Sequence, residues 1–264
     1  MRILILTHTF NSLAQKIFAE LKARGHILTV EYDINDNVTE SAVNKFKPDI
    51  LIAPFLKRAI PETVWKNVLS LIIHPGPPGD RGPSSLDWAI LNEYPNWGVT
   101  VIEANGIMDG GPIWAYQTFP MRNVKKGTLY RHEATEAAIA ALLQALERIE
   151  ALKNRTWSPP LTHHFEICTR PAIKQINRKI NWDSDNREVI LKKINSADGG
   201  PGVLVKFPEQ ALYLYDAKEY PFPIVGPIGI PLGICDYGVI INTISGPIVV
   251  GHMKEKSSSD GLTF

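Results

Sequence analysis

Cysteine is scarce in this chain of 264 residues: Cys168 and Cys235 are the only two, far apart and without a CxxC motif. Two distant cysteines give little basis for a disulfide-stabilised scaffold, and reduced thiols are the expected state. The sequence therefore favours a cytoplasmic location.

Charge of one sign is also lacking, because 28 Lys and Arg nearly balance 27 Asp and Glu, for a net charge of +1. A chain so close to neutral has no strong field for nucleic acid or an anionic membrane. No stretch approaches the ~18 apolar residues of a membrane span. The apolar run in MRILILTHTF is too short for a signal peptide and predicts a strand. We expect neither a nucleic-acid nor a membrane partner.

The composition, 44% hydrophobic and 21% charged, is typical of a globular protein with room for a large domain and a small one. Strands are predicted at 2–7, 28–32, 50–53 and 69–73, and helices follow 12 and span 39–46 and 61–67. Ser12 is expected to cap the first helix. This alternation predicts a Rossmann-like α/β fold with a mostly parallel sheet.

Further strands are predicted at 98–103 and 112–119, as a hairpin around MDGG, and Thr128 is expected to cap a helix running to about residue 153. The character of the chain changes near Asn154. After the proline-containing linker RTWSPPLTHH, a helix is expected from Ser184. Short β-like runs at 202–207, 210–216, 238–244 and 247–250 then predict a small β-rich, OB-like barrel or sandwich. We predict domains over 1–160 and 161–254, with a linker or truncated tail over 255–264.

The densest chemical signal is IIHPGPPGDRGPSSLDWAI followed by GVTVIEANGIMDGGPI. His74 ends a predicted central strand, where ligands of open α/β sheets bind. Asp109 lies in a tight turn, and two such loops can bring the pair together for proton transfer near neutral pH. Taken singly, His74 is as compatible with a hydrogen-bonding role and Asp109 with a turn. No metal site is predicted, since the adjacent His163 and His164 lack companion ligands.

These residues resemble the tetrahydrofolate-dependent formyltransferases, such as glycinamide ribonucleotide transformylase and methionyl-tRNA formyltransferase. That family carries an Asn-x-His before a Pro/Gly-rich loop and, further along, an Asp in a D-G/T-G context. His74 and Asp109 match its catalytic pair. The loop and the helix after it match at Gly76, Arg81, Gly82 and 88–90. The segment KINWDSDNREVILKKINSADGGPGVLV is similar to the start of the C-terminal domain of methionyl-tRNA formyltransferases.

One family residue is missing, because Ile72 stands where the family has its Asn. That Asn normally donates a hydrogen bond to the oxyanion of the tetrahedral intermediate, and losing one such donor costs roughly 10²–10³ in rate. Three explanations are open: another group donates the hydrogen bond, the acceptor is easier to formylate, or the site is inactive. Ile72 also fits an ordinary buried strand.

The resemblance implies binding residues for both substrates. The segment PFLKRAIP matches the place where the family binds the pterin. The implied folate-binding residues are Phe55, Leu56, Lys57, Arg58, Ile60 and Ile107. Phe55, Leu56 and Ile60 fit an ordinary core equally well. The loop THTFNSLAQ enters a helix N-terminus, which favours a phosphate, and related enzymes use this loop for the acceptor. The implied acceptor-binding residues are Asn11, Ser12, Gln15, Arg81 and Arg131.

The whole pattern is most similar to the N-terminal module of the hydrogenase maturation family HypX (HoxX). This resemblance implies 10-formyltetrahydrofolate as donor and coenzyme A as acceptor, with no metal. A following enoyl-CoA hydratase-like domain would then release carbon monoxide from formyl-CoA for nickel–iron hydrogenase, within the hydrogenase maturation machinery. A thiol is intrinsically nucleophilic and tolerates a poorer oxyanion hole. A methionyl-tRNA formyltransferase, which predicts a basic face for tRNA, and a non-catalytic folate or coenzyme A module are the alternatives.

Overall fold

The computed structural model describes residues 1–153 and 165–256. The chain divides into two units. The first comprises Met1–Leu86, Pro95–Met121 and Tyr130–Pro171, and the second comprises Asp87–Tyr94, Arg122–Leu129 and Ala172–Phe264. The sequence did not indicate that two short pieces of its first half belong to the second unit. The domain limits 1–160, 161–254 and 255–264 stay predictions. His163 and His164 lie outside the described residues.

The first unit contains a six-stranded sheet with strand order β2-β1-β3-β4-β6-β7. The strands are β1 (Arg2–Thr7), β2 (Ile27–Tyr32), β3 (Ile50–Phe55), β4 (Ser70–His74), β6 (Asn96–Glu103) and β7 (Ile113–Pro120). The strands β1 to β4 pair in parallel, whereas β6 pairs antiparallel with β4 and β7. The apolar runs of β1, β3, β4 and β6 are largely buried, as expected of strands inside a sheet covered on both faces, whereas the edge strand β2 has Ile27 and Tyr32 exposed. The predicted Rossmann-like sheet and hairpin are confirmed.

Two strands of two residues each, β5 (Asp80–Arg81) and β8 (Cys168–Thr169), pair in parallel in the same unit. The α-helices of the described residues are α1 (Ser12–Ala23), α2 (Asp36–Phe46), α3 (Glu62–Trp65), α4 (Ser85–Leu91), α5 (Lys126–Leu129), α6 (Thr135–Lys153) and α7 (Arg187–Asn195).

Three predicted helix starts were wrong. Asn11, not Ser12, caps α1, because its extended backbone lets its side chain accept the amide of Ala14. The long helix does not begin at Thr128: a π-helical turn, Tyr130–Ala134, precedes α6. The last helix does not begin at Ser184, whose amide bonds back to Asn181 in a turn, so that Asn186 caps α7.

The second unit contains the predicted β-rich region as a five-stranded antiparallel sheet with strand order β11-β12-β13-β10-β9. The strands are β9 (Val203–Lys206), β10 (Ala211–Glu219), β11 (Pro231–Cys235), β12 (Gly238–Ile241) and β13 (Ile248–Glu255). One face packs against α7 around Ile190, Ile194 and Leu214. The strand β11 was not predicted, because its proline and glycine are unfavourable in strands.

A buried ion pair also belongs to the second unit. The guanidinium of Arg178 donates to Asp87 Oδ1 and to the carbonyl oxygen of Ser196, and Lys126 Nζ donates to the same carboxylate oxygen at 2.9 Å. Burial lowers the pKa of Arg178, and the charge of Asp87 opposes that shift. Asp87 therefore keeps a buried cation paired.

Candidate active site

His74 is the last residue of β4 and is 4% exposed. Its strand lies inside the sheet, between parallel β3 and antiparallel β6, and His74 pairs with Thr100 of β6. Its position at the carboxyl end of an internal strand is the one that the sequence predicted. This edge of an open α/β sheet is where ligands bind.

The imidazole of His74 lies between two carboxylates. Its Nε2 is 2.9 Å from Asp80 Oδ2, within hydrogen-bond distance, and its Nδ1 is 3.5 Å from Asp109 Oδ2. An imidazole that carries protons on both nitrogens can donate to both oxygens, whereas the neutral ring can donate to one. The site therefore combines a proton carrier with two anionic neighbours. The structure brings His74 and Asp109 together, and their catalytic roles stay a prediction.

The turn that carries Asp109 is joined to the loop after β4. Asp109 has a φ of 49°, in the left-handed region that Asp tolerates better than most residues. The amide of Gly82 donates to Asp109 Oδ2 at 3.0 Å, and the amide of Gly110 donates to the carbonyl of Ile107 at 3.1 Å. The second carboxylate contact of His74 is therefore fixed by main-chain hydrogen bonds.

Asp80 and Arg170 were not predicted as site residues from the sequence. Asp80 is 3% exposed, and its Oδ1 accepts a hydrogen bond from the guanidinium of Arg170, which lies 5.3 Å from the ring centroid of Trp97. Asp80 stood in the quoted loop GDRG, but only the folded loop turns its carboxylate toward His74. Arg170 arrives from a distant segment through the pairing of β5 with β8, and no spacing in the sequence signals it.

Gly76 is the residue whose small size the site requires. A Cβ built on it would lie 2.4 Å from His74 Nε2 and 2.3 Å from Asp80 Oδ2. The carbonyl of Gly76 is held from the other side by the hydroxyl of Thr100, which donates at 2.7 Å. The main chain therefore passes directly beside the His74–Asp80 hydrogen bond, where a side chain has no room.

Ile72 lies two residues before His74 on β4, and thus on the same face of the sheet. It packs against an apolar cluster that includes the buried Ile60, and Leu56 packs against the same cluster. Position 72 is therefore an apolar part of this edge of the sheet.

The folate-binding candidates fall into three groups. Ile60 belongs to the core, and Leu56 packs against it, so both also have a structural role. The amides of Lys57 and Arg58 donate to Asp33 Oδ2 at 2.9 and 3.3 Å. Phe55 ends β3, and Ile107 is exposed on the turn that precedes Asp109.

The acceptor-binding candidates Asn11 and Arg131 lie on two segments that the structure brings together. Asn11 Nδ2 donates to the hydroxyl of Tyr130 at 3.4 Å, and Lys16 Nζ donates to the carbonyl of Arg131 at 3.3 Å. Burial raises the pKa of Tyr130, and the hydrogen bond with Asn11 opposes that shift. The start of α1 is therefore adjacent to the π-helical turn.

The other acceptor-binding candidates have different surroundings. Ser12 is the first residue of α1, and Gln15 donates from its side chain to the carbonyl of Phe10 at 2.7 Å. The guanidinium of Arg81 packs beside Gly110, and its Nε is buried without a hydrogen-bond partner among the described residues. A donor left unpaired in this way is costly, and the role of Arg81 in acceptor binding stays a prediction.

Other features of the described residues do not indicate a second chemical centre. A surface pocket of about 480 Å³ contains none of the predicted site residues; it is lined by Glu40, Val43, Asn44, Lys47, Pro48, Thr63, Val64, Asn67 and Val68. Within the described ranges, no group of three or more His, Cys, Asp or Glu could hold a metal ion. None of the described helices has the length and hydropathy to cross a membrane.

Comparisons with known proteins identify relatives over nearly the whole chain. The hydrogenase maturation factor HoxX of Bradyrhizobium diazoefficiens is 45% identical over 254 residues, which are 96% of this chain and 44% of HoxX. A crystal structure of HypX from Aquifex aeolicus in complex with tetrahydrofolic acid is 41% identical with a TM-score of 0.90, covering 97% of this chain and 44% of HypX. No family model matches the chain.

A more distant match shows the fold. Methionyl-tRNA formyltransferase from Clostridium thermocellum superposes with a TM-score of 0.65 at 17% identity, covering 93% of this chain and 100% of that enzyme. The chain thus has the formyltransferase fold over most of its length, while it spans less than half the length of HoxX and HypX.

Proposed function

The chain belongs to the formyltransferase-like family of HoxX and HypX, and from this premise we propose that it transfers a formyl group from 10-formyltetrahydrofolate to coenzyme A. The observation that carries the proposal is His74, held between Asp80 and Asp109 at the ligand edge of this fold. The tetrahydrofolic acid bound to the HypX relative supports the folate donor.

The reaction requires one proton transfer. The thiol sulfur of coenzyme A attacks the formyl carbon, a carbon–sulfur bond forms, the bond from that carbon to N10 breaks, and the thiol proton ends on N10. The products are formyl-CoA and tetrahydrofolate. General acid–base catalysis by a positioned imidazole contributes typically about 10²–10⁴-fold. His74 is the group in this site that can accept and return that proton.

The two nitrogens of His74 have different tasks in this proposal. The Nε2 contact with Asp80 is a hydrogen bond of ordinary length, whereas the 3.5 Å from Nδ1 to Asp109 exceeds one. Asp80, itself neutralised by Arg170, anchors the ring. The Nδ1 side, shared with Asp109, is then where a water or the reacting group is engaged.

Ile72 favours a thiol acceptor over an amine. The site offers no side-chain amide at that position, and the apolar cluster around Ile72 supplies no substitute there. A thiol is the stronger nucleophile of the two in this setting, so it depends less on a complete oxyanion hole. Arg81, with its unpaired buried Nε, and the segment Asn11–Gln15 with Arg131 are the proposed contacts for the anionic acceptor.

The wider role is part of the same proposal. HoxX is a hydrogenase maturation factor by name. In this proposal formyl-CoA is formed first, and an enoyl-CoA hydratase-like domain then releases carbon monoxide from it for nickel–iron hydrogenase. Both reactions take place in the cytoplasm. The near-neutral charge of +1 speaks against a tRNA acceptor.

The test incubates the protein with 10-formyltetrahydrofolate and, in turn, coenzyme A, methionyl-tRNA and a sugar amine, with mass spectrometry of each acceptor. Formyl-CoA is the expected product, and it is expected to disappear with His74→Ala. Formyl-methionyl-tRNA formed faster than formyl-CoA would refute coenzyme A as the acceptor. Folate binding without transfer to any acceptor, also in the longer protein, would identify a binding module.

A further inference from the structure

Asp33 is a buried carboxylate at the ligand edge of the sheet, outside the residues assigned so far. It follows β2 and is 5% exposed, and its amide donates to the carbonyl of Thr7 at 3.2 Å, which extends the β1–β2 pairing. A carboxylate withdrawn from water is costly unless its oxygens are hydrogen-bonded. The hydrogen-bond partners of Asp33 therefore explain how its carboxylate can be buried.

One oxygen of Asp33 holds the loop after β3. Its Oδ2 accepts the amides of Lys57 at 2.9 Å and of Arg58 at 3.3 Å. Two consecutive amides on one oxygen fix the direction of the main chain, independently of the side chains they carry. This stretch belongs to PFLKRAIP, the loop proposed to receive the pterin.

The other oxygen reaches the loop after β1. Asp33 Oδ1 lies 2.7 Å from Nδ1 of His8, the residue that opens the segment leading to the acceptor-binding candidates. The two loops also meet through their main chains, because the amide of His8 donates to the carbonyl of Phe55 at 2.7 Å. The hydroxyl of Thr7 donates to that same carbonyl at 3.2 Å. Asp33 thus stands between the two proposed substrate loops.

We propose that Asp33 is a positioning residue for the folate donor, which it serves by holding the amides of Lys57 and Arg58. This inference rests on the proposed function, since it takes the ligand of that loop to be the folate. Asp33 itself touches no substrate. Its effect passes through the main chain of the loop, while its contact with His8 ties the loop to the end of β1.

The contacts separate the effects of three substitutions. Asp33→Ala leaves both amides without an acceptor and releases the loop, so the Kd for tetrahydrofolate rises by about 10-fold or more. Asp33→Asn keeps a carbonyl oxygen for the amides and gives a smaller rise. His8→Phe removes the partner of the other oxygen but leaves both loop amides bound, so the Kd rises less than in Asp33→Ala.

Asp36→Ala is the matched control. Asp36 contacts the same loop residue through its exposed side-chain pair, Oδ1 to Arg58 Nη2 at 2.9 Å, but it binds neither loop amide. Calorimetric titration of tetrahydrofolate into wild type and the four variants measures the Kd. Thermal unfolding verifies that each is folded. Asp33→Asn decides the matter if Asp33→Ala does not fold, together with hydrogen exchange at the amides of Lys57 and Arg58.

Three results overturn the inference, in distinguishable ways. A folded Asp33→Ala variant with the wild-type Kd shows that the loop does not need Asp33. An equal loss in Asp36→Ala shows a general disturbance of this edge and not a specific role. Absence of tetrahydrofolate binding by wild type refutes the proposed function itself, and this inference with it.

Discussion

His74 Nε2 and Asp80 Oδ2 lie 2.9 Å apart in the interior of the first unit, and the two side chains belong to neighbouring parts of one Gly/Pro-rich segment. The pair joins the end of an internal strand to the loop that leaves it. Because Asp80 is also bound by Arg170, the imidazole is anchored to a group that is itself held in place.

His74→Ala is expected to lower formyl transfer by roughly 10²–10⁴, because the positioned proton carrier is lost. Folate binding should change little, since the proposed pterin loop lies after β3. Steady-state kinetics with calorimetry of tetrahydrofolate separates the two effects. A near-wild-type rate in the folded variant would assign His74 to structure.

Asp80→Asn is expected to reduce kcat with little change in KM for either substrate. The amide retains the shape of the side chain but carries no charge for Arg170 and His74, so the imidazole loses its anchor. A loss of about 10-fold or more is expected from a weakened charged hydrogen bond. The control is Asp49→Asn, which should retain activity. Asp49 is exposed, and its Oδ2 accepts the amide of Arg2 at 2.7 Å. Equal losses in both variants would contradict a specific role for Asp80.

Gly76→Ala is expected to abolish most activity while leaving much of the fold intact. The added Cβ would meet His74 Nε2 and Asp80 Oδ2 below 2.5 Å, so the pair must separate, with a cost to stability of about 1–3 kcal/mol. Gly233→Ala is the matched control, because a Cβ there meets nothing within 4 Å. The comparison needs kinetics and thermal unfolding. Full activity in Gly76→Ala would mean that the His74–Asp80 contact is dispensable.

The sequence predicted those parts of the site that lie in local turns at the ends of strands. His74 and Asp109 were predictable because each ends or follows a β-strand within a recognisable Gly-rich segment. The contacts of Asp80 were not, because a loop residue's direction depends on how the loop folds back. Arg170 and Asp33 were also not predictable, because each lies in a segment whose sequence resembles an ordinary strand end or coil.

The same division holds for the fold. Apolar runs such as Ile3–Leu6 predicted the strands well, because a buried parallel strand is apolar along its whole length. The helix starts were less predictable, because several polar residues near each start can cap it. At α1 the choice between Asn11 and Ser12 depended on backbone angles that the sequence does not display.

Asp87→Ala is expected to destabilise the second unit by about 3–5 kcal/mol, because it leaves the buried guanidinium of Arg178 without its carboxylate. The control is Glu20→Ala, which breaks an exposed i,i+4 pair with Arg24 and should cost no more than about 0.5 kcal/mol. Chemical denaturation measures both. Similar losses in the two variants would show that the Arg178 pair contributes no more than a surface contact.

Ile72→Asn tests whether this position faces the reacting oxygen. The substitution introduces the amide that the formyltransferase resemblance implies at this position, two residues before His74 on the same face of β4. If that amide reaches the oxyanion, formyl transfer to an amine acceptor should rise by up to about 10². Thermal stability should fall by about 1–3 kcal/mol, because the amide enters the apolar cluster with Leu56 and Ile60.

Ile72→Leu keeps an apolar side chain of equal size and serves as the control for both effects. A folded Ile72→Asn variant that transfers formyl no faster than Ile72→Leu, to either a thiol or an amine, would show that position 72 has no direct role in the chemistry. The preference for coenzyme A would then have to come from the other proposed acceptor contacts, which are residues 11–15, Arg81 and Arg131.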